Sequence, residues 1–326
     1  SVPRPSPMVT SPYPPAWLAA MTWRGWRVAY LSAPALSSTP AAPVLLIHGF
    51  GACKEHWRHS VEALRKQRTV YALDLIGFGA SDKPRSRLGD EPELPGSLRY
   101  GMELWADQVV AFIASQQLDT VQLVGNSIGG VVALAAAAKL ERSGRPALGV
   151  VLVDCAQRAL DDKRLVDQPA GLRRLRPALK SVVRQRWLTQ LLFRSFARPE
   201  AIRRVLLQAY PSGRNVDEQL VALLLTPAQQ PGASEAFRGF VNLFDDCLAP
   251  DLLGQLATPV TLICGQADPW EPVAEARRWQ RFACVRQLHE LPGLGHCPHD
   301  EAPEQVNPLL LEALAEADQG LSATAG

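Results

Sequence analysis

The chain has 326 residues, 47% hydrophobic and 20% charged, enough for one large core or a core carrying an insertion. A formal net charge of +2 lacks the basic excess of a nucleic-acid-binding protein, so no nucleic-acid partner is expected. Six cysteines (Cys53, Cys155, Cys247, Cys264, Cys284, Cys297) stand far apart with no CxxC pair, which argues against a disulfide scaffold or zinc site and for free thiols in a reducing, cytoplasmic setting.

The opening stretch, SVPRPSPMVTSPYPPAW, is Pro-rich without a hydrophobic signal core, and residues 1–20 are expected to form a disordered leader. Trp23–Leu31 (WRGWRVAYL) reads as one or two strands, and Pro43–His48 (PVLLIH), an apolar run stopped by Gly49, as a buried strand. Glu55–Lys66 has helical spacing, Thr69–Leu75 is strand-like, and Leu98–Gln116 is an amphipathic helix. The strand Val121–Val124 runs into a helix beginning near Ser127, and Leu148–Val153 is the next strand. From about Gln157 to Leu256 helical Leu- and Arg-rich stretches take over, with 13 basic against 4 acidic residues between Gln157 and Arg204. Alternation resumes with strand Val260–Cys264, helix Val273–Phe282, strand Val285–Leu288 and helix Glu304–Ala317. No apolar segment approaches the ~20 residues that span a bilayer.

Apolar strands alternating with helices need a parallel sheet covered on both faces, so the expected fold is α/β, mostly parallel and doubly wound. A helical stretch of about a hundred residues is too long for a loop. The core is assigned to residues 21–156 and 257–318, a helical cap inserted after the sixth core strand to 157–256, and a disordered tail to 319–326. The cap is expected over the C-terminal strand ends, where open α/β sheets place their ligands.

At that edge lies VGNSIGG. A serine at a tight strand-to-helix turn projects its hydroxyl from the sheet, and Gly125 and Gly129 keep side chains out of a crowded bend. The Ile128 N–H, in the first turn of the helix, points to the same space, where the helix dipole favours negative charge. In HGFGACKEHW, Gly49 and Gly51 allow close backbone approach, making the Phe50 N–H the second oxyanion donor. A serine nucleophile needs a base and an orienting acid, which in this fold follow it in the order acid, histidine. His296, in LPGLGHCPHDEAPE, falls in a Gly-rich loop after the last strand; neighbouring His299 is its rival. His48 is expected to be a structural strand-end residue, His56 and His59 solvated, and His289 in or just after the last strand. Asp268, after the strand Val260–Cys264, is the candidate acid, with a helix cap near Val273 as its plainer role. Asp154 is the second candidate, while Asp74 and Asp82 are expected to shape their own loop.

Together, LIHGFGACKEHWR, ALDLIGFGASDKP, VGNSIGG, DPWEP and LPGLGHCPHDEAPEQVNP resemble the α/β-hydrolase superfamily from about Val44 to Pro308. Within it GNSIGG, DPWEP and the GHCPHDEAPEQVNP segment are most similar to the phytol-ester hydrolases, the pheophytinases and chlorophyll dephytylases of plants, algae and cyanobacteria. The resemblance, closest to a cyanobacterial type, implies a serine carboxylic-ester hydrolase that removes phytol from chlorophyll or pheophytin without a metal or organic cofactor. It assigns Ser127 as nucleophile, Asp268 as acid and His296 as base. A phytyl chain calls for an apolar tunnel, for which Trp187, Leu191 and Phe193 are candidates; cap core is their equally available role. The segment LRRLRPALKSVVRQRWLTQLLFRSF permits an amphipathic helix interrupted at Pro177, either a solvated basic face or a peripheral contact with a thylakoid-type membrane. Rival readings are a C–C bond hydrolase of ring-cleavage products, a general carboxylesterase, and a non-catalytic pigment-binding protein. Epoxide hydrolases and dehalogenases of this fold carry Asp where this chain has Ser127.

Overall fold

The computed structural model describes residues 11–324. Its main sheet contains β1 (Leu18–Trp23), β2 (Trp26–Ala33), β3 (Ala41–Ile47), β4 (Arg68–Leu73), β5 (Gln122–Asn126), β6 (Gly149–Val153), β7 (Val260–Gly265) and β8 (Val285–Leu291). They lie in the order β1-β2-β4-β3-β5-β6-β7-β8. Only β2 runs against its neighbours, and every other pairing is parallel.

The strands read as unbroken apolar runs because both faces are buried. Along β3, Leu45 and Ile47 enter one core, and Val44 and Leu46 the other. The same alternation divides Val150 and Leu152 of β6 from Val151 and Val153. Helices α1 (Met102–Ser115) and α2 (Ile128–Arg142) cover the first face. Between β6 and β7 come α3 (Ala170–Val183), α4 (Arg186–Phe196), α5 (Pro199–Ala209), α6 (Glu218–Ala228) and α7 (Ala233–Val241). The fold closes with α8 (Val273–Trp279) and α9 (Pro303–Thr324), whose Val306, Leu310 and Leu314 fill the second core. This is the expected α/β, doubly wound arrangement, with the helical insertion following β6.

Several details differ from the sequence reading. Residues 1–10 of the expected leader lie outside the described residues, but 11–20 are ordered. Buried Tyr13 donates its hydroxyl to the Lys54 carbonyl at 3.1 Å, and the Arg65 guanidinium lies 4.7 Å from the Trp17 ring centre. Trp23–Leu31 belongs to a hairpin whose two turn residues, Arg24 and Gly25, have φ of 51° and 86°, as a two-residue turn requires. The expected helix at Glu55–Lys66 is a 3₁₀ turn (Lys54–Trp57) and a single helical turn (Val61–Leu64). Helix α3 continues through Pro177. Proline there removes one backbone bond, and Arg173, whose carbonyl it frees, is exposed to water. Instead of ending in a tail from residue 319, α9 runs to Thr324. Asp318 anchors it, accepting from Arg68 and from Gln122 at 2.8 Å each. Residues 325–326 lie outside the described residues.

Candidate active site

Strand β5 ends at Asn126 and α2 starts at Ile128, so Ser127 alone makes the bend, with φ 57° and ψ −124°. Such values strain a non-glycine residue and are sustained only where the surroundings enforce them. A Cβ on Gly125 would strike the Gly129 carbonyl, and one on Gly129 would strike the carbonyls of Ile47 and His48, the latter at 2.5 Å. The bend is therefore wedged against the end of β3. A Cβ on Gly49 would lie 3.0 Å from that of Ser127, which brings the Phe50 loop beside the serine. As the first residue of α2, Ile128 has an N–H with no acceptor inside the helix.

The loop after β8 carries His296, whose Nδ1 lies 2.8 Å from Asp268 Oδ2. An imidazole donating from Nδ1 keeps Nε2 as its acceptor. Asn126, next to Ser127, donates to the His296 carbonyl at 3.1 Å and to the Val153 carbonyl at 3.0 Å, tying the histidine loop to the serine bend. The His296 N–H is held by the Ala209 carbonyl at the end of α5. Asp268 Oδ1 accepts from the backbone N–H groups of Trp270 (2.9 Å) and Glu271 (3.1 Å). Asp268 thus shapes its own turn; α8 begins after Pro272 without a side-chain cap. The Trp270 ring stands edge-on to the His296 ring at 4.9 Å.

The two candidate acids are neighbours. Asp154, at the end of β6 with φ 46°, is buried, and both its oxygens lie 3.1 Å from the Gly265 N–H. Burial, reinforced by its hydrogen bond to Asp268 and that residue's charge, raises the Asp154 carboxyl well above the ordinary range. Asp268 moves the other way: burial alone would raise it, but hydrogen bonding and charge from His296, with the bonds from Asp154 and the Trp270 N–H, hold it below. The two shifts run in opposite directions, Asp154 toward the neutral acid and Asp268 toward the carboxylate. Half-buried Glu271, accepting from the Gln157 N–H at 2.8 Å, is pushed up to about 8, chiefly by burial. Donor atoms of Asp154, Asp268 and His296 lie within 4.8 Å of one another, the geometry of a cation site, but His296 Nδ1 is already engaged by Asp268.

The other histidines are accounted for. His48 is buried, with Nδ1 2.7 Å from the Gly49 carbonyl and Nε2 accepting from the Leu75 N–H at 3.0 Å. Desolvation lowers its pKa, so it is a neutral strand-end brace, as expected. His56 was expected to be solvated but is buried, 2.7 Å from the Tyr210 hydroxyl, and desolvation lowers it to about 4. His299 is buried against the rings of His56 and Trp57, and neither ring nitrogen has a partner among the described residues. His59 is half-exposed, and His289 lies in β8. Asp74 accepts from the Lys54 N–H, Lys54 Nζ and the Ala80 N–H, and Asp82 from the Arg27 N–H, shaping their loop as expected.

Phe50 stacks on Phe240 (4.1 Å, 18°) and lies 6.3 Å from Phe237, which is 5.5 Å from Phe193 of α4. A half-buried aromatic wall thus leads from the Phe50 loop into the insertion. Trp187 and Leu191 are not part of it. They are 66% and 60% exposed, on the opposite side of α4 from Thr189 and Phe193. Sequence reasoning missed Asn126, although it lies within the quoted GNSIGG, and Trp270, within DPWEP. A separate cavity of about 200 Å³, lined by Gln122, Gly149, Arg286 and Glu316, lies at the opposite ends of the strands.

The sequence profile of the alpha/beta hydrolase family matches residues 44–309. This chain belongs to that family. Chloroplastic pheophytinase of Arabidopsis thaliana is 28% identical over 313 residues, covering 86% of this chain and 62% of that protein. The chain therefore spans about three-fifths of the length of pheophytinase. The 2-hydroxymuconate semialdehyde hydrolase of Pseudomonas sp. (strain CF600) is 26% identical over 286 residues, 85% of this chain and 88% of that enzyme. Among solved structures, the epoxide hydrolase CorEH superposes with a TM-score of 0.72 at 21% identity, over 92% of this chain and 98% of that one. That likeness is one of fold. Among the described residues no helix is long and apolar enough to cross a membrane.

Proposed function

We propose that the protein is a serine hydrolase of carboxylic esters and that its substrate is a large apolar ester of the phytyl-chlorin class, chlorophyll or pheophytin. The observation that carries the reaction class is the strained Ser127 bend tied through Asn126 to a histidine hydrogen-bonded by Asp268. Ser127 is assigned as nucleophile, His296 as base and Asp268 as orienting acid, with the Phe50 and Ile128 N–H groups as oxyanion donors. His296 Nε2 takes the Ser127 proton as Oγ attacks the ester carbonyl. The alcohol leaves with that proton, and water cleaves the acyl-enzyme by the same path in reverse. No metal or organic cofactor enters these steps.

The substrate assignment rests on the similarity to pheophytinase and on the aromatic wall Phe50, Phe237, Phe240 and Phe193, suited to a flat or greasy group. Residues 157–256 act as the cap, its wall supplied by Phe193 rather than by Trp187 or Leu191. A lipid-soluble ester also implies a peripheral membrane contact. The second reading, a C–C bond hydrolase, is favoured by the similarity to 2-hydroxymuconate semialdehyde hydrolase over 85% of the chain.

The test is chromatography of pheophytin a and chlorophyll a after incubation in detergent with wild type and Ser127→Ala. Phytol and a phytol-free chlorin should appear with the wild type alone. Turnover of a ring-cleavage dienoate with both pigments intact would transfer the assignment to the second reading.

A further inference from the structure

Helices α3 and α4 turn apolar side chains outward. On α3, Leu175, Ala178 and Val182, spaced as one helical stripe, are exposed, whereas Arg176 on the other side is buried. On α4, Trp187, Leu191 and Leu192 are exposed, while Thr189 is buried and Phe193 packs against Phe237 of α7. Exposed apolar residues clustered on neighbouring helices point to an interaction site.

The same run of helices carries exposed Arg173, Arg174, Arg194, Arg198 and Arg204, none of which forms an ion pair among the described residues. Their neighbours are matched: Arg184 with Asp90, Arg186 with Glu235, and Arg203 with Glu218. Unpaired positive charge and the apolar stripes are therefore carried by the same run of helices, α3 to α5.

We infer that the outer face of α3–α5 docks on an anionic lipid bilayer, with Trp187 and Leu191 in the interfacial layer and the unpaired arginines on headgroup phosphates. Apolar residues flanked by arginine stems suit this boundary, since the stems lie along the acyl region while the guanidinium groups stay at the phosphates. A second copy fits poorly, because a symmetric contact would bring two basic rims together. Nucleic acid would match the arginines but leave Trp187 and Leu191 in water. The other side of α4 carries Phe193 of the aromatic wall, so the docked helix would also border the path of an ester leaving the bilayer. The inference goes beyond the proposed reaction and does not depend on which ester is cut.

The test is sedimentation of the full chain with vesicles of phosphatidylcholine alone or mixed with phosphatidylglycerol, at low and high salt. Pelleting is expected with the anionic vesicles at low salt and should fall at high salt. The double variant Trp187→Ser/Leu191→Ser should lower partitioning about tenfold or more, and Arg173→Glu/Arg174→Glu should remove the preference for phosphatidylglycerol. Both variants should still hydrolyse a dissolved short-chain ester, and Ser127→Ala should pellet like wild type, separating docking from catalysis. Absence of pelleting on anionic vesicles, or pelleting unchanged in both double variants, would overturn the inference. So would a dimer in solution that Trp187→Ser/Leu191→Ser abolishes, which would assign the face to a second copy.

Discussion

Asp154 makes the sharpest test of how the acid of the site is held. Burial and the neighbouring Asp268 raise its carboxyl, which accepts from the Gly265 N–H; if it holds its proton, it donates to Asp268. Asn at this position keeps both functions, because its NH₂ donates, its carbonyl accepts, and its backbone tolerates the positive φ. Asp154→Asn should therefore stay within about 1 kcal/mol of wild type and within a few-fold of its kcat/KM. Asp154→Ala strips the acceptor from a buried strand N–H, at about 1–3 kcal/mol. It also places a Cβ-bearing residue without a side-chain hydrogen bond at φ 46°, adding roughly 1–2 kcal/mol. A loss of about 2–5 kcal/mol is expected, with kcat/KM down ten- to a hundredfold as Asp268 loses a positioning partner. Thermal unfolding and p-nitrophenyl butyrate kinetics across neutral and alkaline pH measure both quantities. If Asn proves as damaging as Ala, Asp154 works as an anion and the shared proton is wrong.

Two further outcomes follow from the same region. Gly129→Ala drives a methyl into the Ile47 and His48 carbonyls and should cost at least about 3 kcal/mol; a near-wild-type melting temperature would refute the wedged bend. Glu271 binds its proton more tightly folded than unfolded, so its contribution is full below about 4.5 and lost as pH rises through about 8. Glu271→Gln should flatten the decline in melting temperature between about pH 4.5 and 8, and parallel wild-type and variant curves over that range would refute the assignment.

The sheet was legible because β3, β5, β6 and β7 are buried on both faces and therefore appear as apolar runs between helices. The bend at Ser127 was legible for a related reason: crowding at its two ends excludes every side chain, which leaves glycines at fixed spacing. The outward faces of α3 and α4 were not legible. Helical spacing shows that Trp187 and Leu191 share a side, but an apolar stripe does not say whether protein or solvent lies opposite it. The Asp154–Asp268 contact was hidden as well: Asp154 directly follows β6 and Asp268 lies in the turn beyond β7, and only the β6–β7 pairing reveals that the two meet. His56 misled because the short turn around it lacks a solvent-facing period; its burial comes from Tyr210, far along the chain.

The proposed chemistry stands on Ser127 being an activated nucleophile. Intact-mass analysis and peptide mapping after treatment with a fluorophosphonate test it most directly. One stoichiometric adduct is expected on Ser127, absent from Ser127→Ala and strongly slowed in His296→Ala. A folded wild-type protein that takes up no adduct, or takes it up on another serine, would contradict it.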